Sequence, residues 1–244
     1  MAESSTQAPE QLKAQAGSQE NPLWHQADWA SSALGQSISL YASHPPEHLN
    51  GLASVLFIGG VHGDEPEGVV LANEWLGWLR AANTAQAWLL IPCLNPDGYQ
   101  RNERTNGRGV DLNRNYPSKC WRPEYQDKRY FPGSAPASEP EISALVNLIA
   151  QTEPRLIIHF HSWQPSVVYS GESAKEAASF LANASNYPLQ PDIGYPTPGS
   201  LGEYGANDLG IGVICIEEQE GIASETIFPR FKQGLIALMT AEAG

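Results

Sequence analysis

Short apolar runs rich in β-branched residues alternate along this chain with segments of helical period, and this alternation limits the possible folds more than any other feature. The run at 54–60 is followed by 65–80, where the apolar residues from Val69 to Leu79 recur on one helical stripe. The strand-like runs are SISLYAS, SVLFIGG, AWLLIP, RLIIHF, SVVYS and IGVICIE, and further helices are predicted near 138–151, 174–186 and 224–241. The pattern predicts an α/β fold with a mixed, mostly parallel twisted sheet and helices on both faces.

Two of the predicted helix starts carry residues that often cap helices. Asp64 precedes the first helix, and Pro66 lies in its first turn, where proline is tolerated. Ser138 and Glu141 have the spacing of a capping box before the helix at 138–151. We therefore expect the Asp64 and Ser138 side chains to accept backbone N–H groups of these helices.

The first 22 residues differ in composition from the rest of the chain. They are polar, rich in Gln, Ser and Ala, and too poor in apolar residues to form a core, which predicts a flexible leader at 1–22 before a single domain at 23–244. The leader lacks a basic segment followed by an apolar one, and no apolar run reaches the roughly 20 residues of a membrane span. We expect no membrane association and a cytoplasmic protein, with a removed signal peptide as the alternative.

Charge and cysteine content exclude some partners. Fourteen Lys and Arg against 27 Asp and Glu give a net charge of −13, which repels nucleic acids and anionic membranes. The three cysteines are odd in number and form no CxxC pair, which favours a reducing compartment. Cys215 in the last strand is interpreted as a small core residue, and Glu218, which alternates with Glu217, as a surface residue.

Histidine and glutamate residues lie at the ends of several predicted strands, where open α/β sheets bind their ligands. His62 and Glu65 follow SVLFIGG, and Glu217 closes IGVICIE. His159 and His161 share one face at the end of RLIIHF, and alternation does not decide between them. One His, one Glu and a second His form a recurrent ligand set for catalytic zinc, with Glu217 available as general base. A polar turn is the alternative interpretation of the HxxE pair taken alone.

Positive charge is concentrated in one part of this acidic chain. The stretch from 95 to 137 has little periodicity, and loops of this length are usually functional. Its segment RNERTNGRGVDLNRN contains four arginines, Arg101, Arg104, Arg108 and Arg114. Because guanidinium groups bind carboxylates in a bidentate manner, the cluster predicts a receptor for a small anionic ligand, with a solvated surface as the alternative.

Several short motifs occur in a characteristic order. They are HGDE, NPDG, GVDLNRNYP, SEPE, the HS pair at a strand end and a late strand ending in Glu217. In this order they resemble the zinc carboxypeptidases of the metallocarboxypeptidase A type, over residues from about 55 to 220. The stretch YPTPGSLGEYGA is similar, within that family, to the bacterial murein peptide amidases. Those enzymes cut the γ-D-glutamyl–meso-diaminopimelate bond of cell-wall peptides.

The resemblance implies a catalytic domain at 23–244 and a role for each matching residue. His62, Glu65 and His161, rather than His159, would bind one zinc ion per subunit. Glu217 would be the general base that moves a proton from water to the leaving amine.

The same resemblance implies how substrate is held. Arg104 would polarise the scissile carbonyl, Asn113 and Arg114 would grip a terminal carboxylate, and Tyr195 would close over the substrate. The expected substrate is a small anionic peptide with a free C-terminal carboxylate, although the stretch 201–203 carries no charge that clearly identifies the side chain accepted.

Three other functions compete with this prediction. They are a carboxypeptidase of different peptide specificity, an amide hydrolase like aspartoacylase and succinylglutamate desuccinylase, and a degenerate member that binds without turnover. The motifs NPDG and GVDLNRNYP favour a peptidase over the deacylase. A general base at Glu217 argues against a binding module, which has no need of one.

Overall fold

The computed structural model describes residues 23–82 and 84–240, so the predicted leader lies outside the described residues. One sheet contains the strands β1 (Trp24–Ser31), β2 (Ser37–Ala42), β3 (Val55–Ile58), β4 (Trp88–Ile91), β5 (Leu156–Trp163), β6 (Ser166–Ser170), β7 (Leu189–Gln190) and β8 (Gly212–Gln219). The α-helices are α1 (Pro66–Ala81), α2 (Pro96–Arg101), α3 (Pro140–Thr152), α4 (Lys175–Ser185) and α5 (Ser224–Thr240). Within 23–82 and 84–240, every helix is too short or too polar to cross a bilayer.

The sheet has the strand order β1-β2-β4-β3-β5-β8-β6-β7. Its centre is parallel, since β3 pairs in parallel with β4 and β5, and β5 pairs in parallel with β8. Antiparallel pairs extend it on both sides, through β2 on β4 and β6 on β8. The predicted mixed, mostly parallel sheet is confirmed.

Helices cover both faces of this sheet, as predicted. Alternate side chains of the central strands, such as Phe57, Phe160 and Ile216, pack with α1, α4 and α5 in one core. The intervening residues, such as Ile58 and Ile157, pack with α3 in a second core. Because side chains alternate along a strand, His159 and His161 of β5 lie on the α3 side, as do Cys215 and Glu217 of β8.

Some elements escape sequence-based prediction. Strand β1 is mostly solvent-exposed and has no apolar alternation, but its backbone pairs with β2. Helix α2 has six residues inside the stretch expected to be irregular, and the Asn95 side chain accepts the Gly98 N–H at its start. Elements this short or this polar leave no periodic signal.

Both capping predictions are wrong. A proline occupies the first position of α1 and of α3, and no side chain caps either helix. The Asp64 carboxylate instead lies 3.6 Å from Arg129. The Ser138 hydroxyl donates to Glu139, and Glu141 accepts a backbone N–H from the β1–β2 turn. Each of these side chains contacts another group instead of the helix N–H that it was expected to cap.

The surface assignment of Glu218 is also wrong. Its side chain is buried on the face of β8 that is packed against α5. There it accepts hydrogen bonds from Arg230 Nε, at 3.1 Å, and from the Tyr187 hydroxyl. A buried carboxylate is tolerated here because it is paired.

Helix α1 approaches strand β5 closely at Gly68. A Cβ atom added to Gly68 would lie 2.3 Å from the Phe160 carbonyl oxygen, which no real Cβ contact allows. Gly68 follows Glu65 by one turn, and Phe160 precedes His161. The glycine therefore sets the distance between two elements that carry candidate site residues.

Replacing Gly68 by Ala tests this close packing. Because helix or strand must move to admit the methyl group, we expect the free energy of unfolding in urea to fall by about 1–3 kcal/mol. Gly77→Ala on the same helix is a matched control, since nothing lies within 4 Å of its added Cβ. It should keep or gain stability, by up to about 1 kcal/mol. Equal unfolding midpoints for the two variants would contradict the packing argument.

Candidate active site

Three buried side chains meet beyond the carboxyl ends of the central strands. His62 Nδ1 lies 2.7 Å from Glu65 Oε1, and His161 Nδ1 lies 2.7 Å from Glu65 Oε2. The two Nδ1 atoms are 3.1 Å apart. His62 and Glu65 follow β3, while β5 runs on to Trp163 and carries His161 within the strand. The structure thus brings together all three residues that the resemblance predicts as metal ligands, and they could hold one metal ion.

The opposite nitrogen of each histidine has its own partner. His62 Nε2 lies 3.0 Å from Asp111 Oδ1, and His161 Nε2 lies 2.7 Å from His159 Nδ1. Both Nδ1 atoms therefore point inward with Glu65. In a tetrahedral zinc site with bonds of about 2.0–2.1 Å, ligand atoms are roughly 3.3 Å apart, so this donor set fits zinc after small adjustments.

The charge balance of the three donors favours a cation. Burial raises the pKa of Glu65, but His62 and His161 outweigh it and hold that pKa well below its ordinary value. Burial and the Arg104 charge oppose protonation of His62, yet Glu65 and Asp111 raise its pKa above the ordinary value. Burial lowers the pKa of His161, and it lowers that of His159 further. An ionised Glu65 beside a neutral His161 is the combination of protonation states in which these two side chains can bind a divalent cation.

Asp111, which sequence reasoning did not single out, supports the site from behind. Its carboxylate accepts from Arg104 Nε at 3.1 Å as well as contacting His62. Although burial favours the protonated acid, Arg104 and His62 hold the pKa of Asp111 well below its ordinary value. A buried carboxylate beside a metal-binding histidine is a common supporting arrangement. Its sequence signal is its place within GVDLNRNYP, three residues before Arg114.

Arg104 lies at the edge of the candidate metal site. Its Nη1 donates to Glu65 Oε1 at 3.1 Å, and its Nη2 lies 3.1 Å from Asp111 Oδ2. Burial opposes its charge, but Asp111 and Glu65 outweigh this and raise the pKa of Arg104. The guanidinium is therefore permanently charged and fixed in place while it lines the cavity.

Glu217 lies on β8 directly beside His161 on β5, because these two residues are register partners. It is buried, and Cys215 Sγ donates to its Oε1 at 3.1 Å. Burial and the nearby Glu65 charge raise the pKa of Glu217 to about 8. The carboxylate is thus close to the metal donors and able to exchange a proton. Cys215 lines the same cavity, so its interpretation as a core residue is wrong.

A cavity of about 560 Å³ extends outward from these groups. Its walls include three arginines, Arg104, Arg114 and Arg129, whose guanidinium carbons lie 5.3, 5.7 and 5.4 Å from the Tyr130 ring centre. The wall also contains acidic groups, Glu203 and Glu220 among them. A cavity with several arginines on one ring suits a ligand that carries carboxylates.

Only half of the predicted arginine cluster faces this cavity. Arg101 pairs with Glu103 at 3.0 Å, and Arg108 lies 3.6 Å from Glu139. Neither lines the cavity, whereas Arg129, from outside the cluster, does. Local charge density in the sequence therefore indicates the right loop but not the right set of side chains.

The remaining predicted substrate residues all reach the cavity. Asn113 Oδ1 accepts the Leu201 N–H at 2.9 Å, which leaves its NH₂ group to donate elsewhere. Arg114 is buried, and its Nη1 donates to the Asn113 carbonyl oxygen at 2.6 Å. Tyr195 is 43% exposed and meets the exposed Trp163 edge-to-face. Tyr195 thus lies at the mouth, and Asn113 and Arg114 lie deeper.

A histidine–glutamate–histidine donor set beside a buried carboxylate, at the carboxyl ends of a largely parallel sheet, has the make-up of a metal-dependent hydrolase. The sequence profile of the zinc carboxypeptidase family matches residues 19–198. The chain belongs to this family and is a peptide hydrolase.

Individual relatives agree with this assignment. Murein peptide amidase A of Escherichia coli (strain K12) is 36% identical over 175 residues, which cover 67% of this chain and 70% of the relative. The crystal structure of murein-tripeptide amidase from Escherichia coli O157 matches with a TM-score of 0.75 and 29% identity, over 90% of this chain and 93% of the other. Carboxypeptidase A from Helicoverpa armigera, at 18% identity and a TM-score of 0.73 over 92% of this chain and 70% of its own, shares the fold.

Replacing His62 by Ala should weaken zinc binding by more than about 100-fold, because a direct ligand contributes more than the supporting groups that cost 10–100-fold when removed. Competition with a chromophoric chelator would measure the zinc dissociation constant. His44→Ala is the control, since His44 is exposed and absent from the candidate site. Wild-type zinc affinity in the His62 variant would exclude His62 as a ligand.

Proposed function

We propose that this chain is a zinc-dependent carboxypeptidase that hydrolyses the γ-D-glutamyl–meso-diaminopimelate amide bond of murein peptides. The observation that carries the proposal is the convergence of His62, Glu65 and His161 within 3.1 Å of one another, beside Glu217 and an arginine-lined cavity. In this proposal the three residues bind one zinc ion per subunit. Zinc, when bound, would supply a Lewis acid that polarises the scissile carbonyl and lowers the pKa of the attacking water.

Proton transfer falls to Glu217 in this mechanism. In its carboxylate form it would take a proton from the attacking water and then give that proton to the leaving amine, and a raised pKa makes that carboxylate a stronger base. Its position beside His161 across the β5–β8 pair puts the carboxylate at the metal donors. No second base is needed.

Arg104 has the position to stabilise negative charge on the carbonyl oxygen during the reaction. Asp111 and Glu65 hold the guanidinium in place before substrate arrives, so little reorganisation is required. Removing one such preorganised donor costs about 3–4 kcal/mol of transition-state stabilisation in other hydrolases.

Asn113 and Arg114 form the proposed clamp for the free carboxylate of the C-terminal residue. Arg114 offers a charged donor, and the Asn113 NH₂ group offers a neutral one beside it. Tyr195, exposed at the cavity mouth, would pack over the bound peptide. A carboxylate anchored here would direct the preceding amide bond towards His62, Glu65 and His161, which line the same cavity.

The cavity also suits a C-terminal residue with a long, charged side chain. Glu203 and Asn207 lie in its wall, where Asn207 Nδ2 donates to Glu203 Oε2 at 2.6 Å. A Cβ atom on Gly202 would lie 2.8 Å from Ser170 Oγ, so glycine keeps this part of the wall open. Diaminopimelate ends in an ammonium and a carboxylate, which these acidic and amide groups can pair. The named activity of the murein peptide amidases supports the same substrate.

Family membership favours a peptidase over the deacylase alternative, because the match is to zinc carboxypeptidases. The cytoplasmic location expected from the cysteine count and the polar amino terminus stays a prediction.

The decisive assay incubates the zinc-loaded protein with L-Ala-γ-D-Glu-meso-diaminopimelate and, separately, with N-succinylglutamate. We expect free diaminopimelate from the first and nothing from the second.

Glu217→Gln should keep zinc and lower kcat by about 10²–10⁴-fold, the usual contribution of a general base. Glu225→Gln, at an exposed position in the first turn of α5, is the matched control. Release of succinate, or a Glu217 variant with normal turnover, would refute the proposal.

Substitution of Arg114 by Gln should mainly affect binding of the terminal carboxylate. Losing a charge-assisted hydrogen bond should raise KM by about 10-fold or more, equivalent to roughly 1.5–3 kcal/mol. A substrate whose terminal carboxylate is amidated should be cleaved poorly by the wild type and no worse by the variant. Arg108→Gln is the control, because Arg108 does not line the cavity. A variant that discriminates between the two substrates as well as wild type would exclude the clamp.

A further inference from the structure

The two candidate metal-binding histidines are held from behind by partners of different kinds. Asp111, a carboxylate, contacts His62 Nε2 at 3.0 Å. The partner of His161 Nε2 is another imidazole, the Nδ1 atom of His159, at 2.7 Å. Both rings of this second pair are buried, with 4% of His159 and 2% of His161 exposed, and burial strengthens a hydrogen bond between them.

The number of protons on each ring determines which histidine donates the hydrogen bond and which accepts it. A neutral imidazole carries one proton, so a His161 ring that offers the Nδ1 lone pair to a metal has its proton on Nε2 and donates from there. His159 Nδ1 must then be the acceptor, which leaves the His159 proton on Nε2. A protonated His159 has no lone pair to accept with.

The strand geometry makes the contact possible. His159 and His161 are two residues apart on β5, so their side chains lie on the same face. Their rings meet edge-to-face, with centres 4.6 Å apart and planes at 89°, which aims the edge of one ring at a nitrogen of the other. On β8, the register partners of this pair are Cys215 and Glu217.

We propose that His159 is a positioning residue, whose Nδ1 accepts the Nε2 proton of His161 and thereby fixes the tautomer and ring orientation that present His161 Nδ1 to the metal. The inference rests on the proposed zinc site. It does not depend on which peptide is cleaved.

A second metal site is the competing explanation for these residues. His159, His161 and Cys215 also offer atoms close enough to hold an ion. His161 would then need lone pairs on both nitrogens, one for each metal, and would have to lose its ring proton. A hydrogen bond from His161 Nε2 to His159 Nδ1 explains the contact without the loss of this ring proton.

Two substitutions separate the hydrogen bond from the volume of the ring. His159→Phe keeps a ring but removes the acceptor, and we expect zinc affinity to fall 10–100-fold, the range found for supporting groups of other metal sites. His159→Asn puts an amide oxygen near the position of Nδ1 and should restore most of the affinity. The cobalt-substituted Phe variant should show an altered visible spectrum, while the Asn variant should resemble wild type. The zinc content of wild type should be one ion per chain.

The outcomes are distinguishable. Equal affinities for wild type and the Phe variant, or equal losses in the Phe and Asn variants, would overturn the positioning role. Two zinc ions per wild-type chain, with one lost in both variants, would establish the second site instead. A wild type that binds no zinc would overturn the proposed metal site together with this inference. Failure to cleave the murein tripeptide, with zinc binding as described, would overturn only the substrate assignment.

A measurement on the unmodified zinc-loaded protein guards against variants that do not fold. Ring ¹⁵N chemical shifts and long-range ¹H–¹⁵N correlations report which nitrogen carries the proton in each histidine. We expect the proton on Nε2 in both His159 and His161. A proton on His159 Nδ1 would exclude it as acceptor and overturn the proposal.

Discussion

The buried carboxylate of Asp111 is the interaction on which the rest of the candidate site depends. One oxygen contacts His62 Nε2 and the backbone N–H of Asn113, and the other accepts from Arg104. A single charge thus orients a candidate metal ligand, the Arg104 guanidinium and the turn that carries Asn113 and Arg114. A buried charge without partners would be very costly, so each contact also stabilises the acid that makes it. Because the partners share the same two oxygens, removal of one partner would change the positions of the others.

The pairing of strands in the sheet fixes the relative positions of His161 and Glu217. Parallel β5 and β8 run side by side for eight residues, and their register puts His161 beside Glu217 on the face covered by α3. These relations follow from rules that act on the sequence itself: alternation along a strand, and the meeting of parallel strands at their carboxyl ends. That is why the sequence could predict that His62, Glu65, His161 and Glu217 come together. The choice of His161 over His159 needed the family motif, because alternation puts both on one face.

Contacts between distant segments could not be predicted. The Glu218 carboxylate was expected at the surface, but α5 brings Arg230 to it, and the carboxylate is buried. Arg129 joins the cavity wall although it lies outside the arginine-rich segment, while Arg108 of that segment turns away. In each case the position of a long side chain is decided by another element arriving from elsewhere in the chain. Strand β1 could not be predicted for a similar reason. It forms by pairing its backbone with β2, and backbone groups are the same at every residue, so they leave no signal in the sequence.

The arrangement of charge inside the cavity matters more for recognition than the net charge of −13. The guanidinium groups of Arg104, Arg114 and Arg129 all lie near the Tyr130 ring. Attraction between these cations and the aromatic ring offsets part of their mutual repulsion. Their field acts at short range within a partly enclosed space, while surface carboxylates are screened beyond about 8–10 Å at physiological salt. For the proposed anionic peptide, salt would weaken the repulsion by the surface carboxylates but would weaken the attraction to the arginines in the cavity less. Discrimination between anions must then come from the positions of the arginines relative to the metal donors, which Asp111 sets for Arg104.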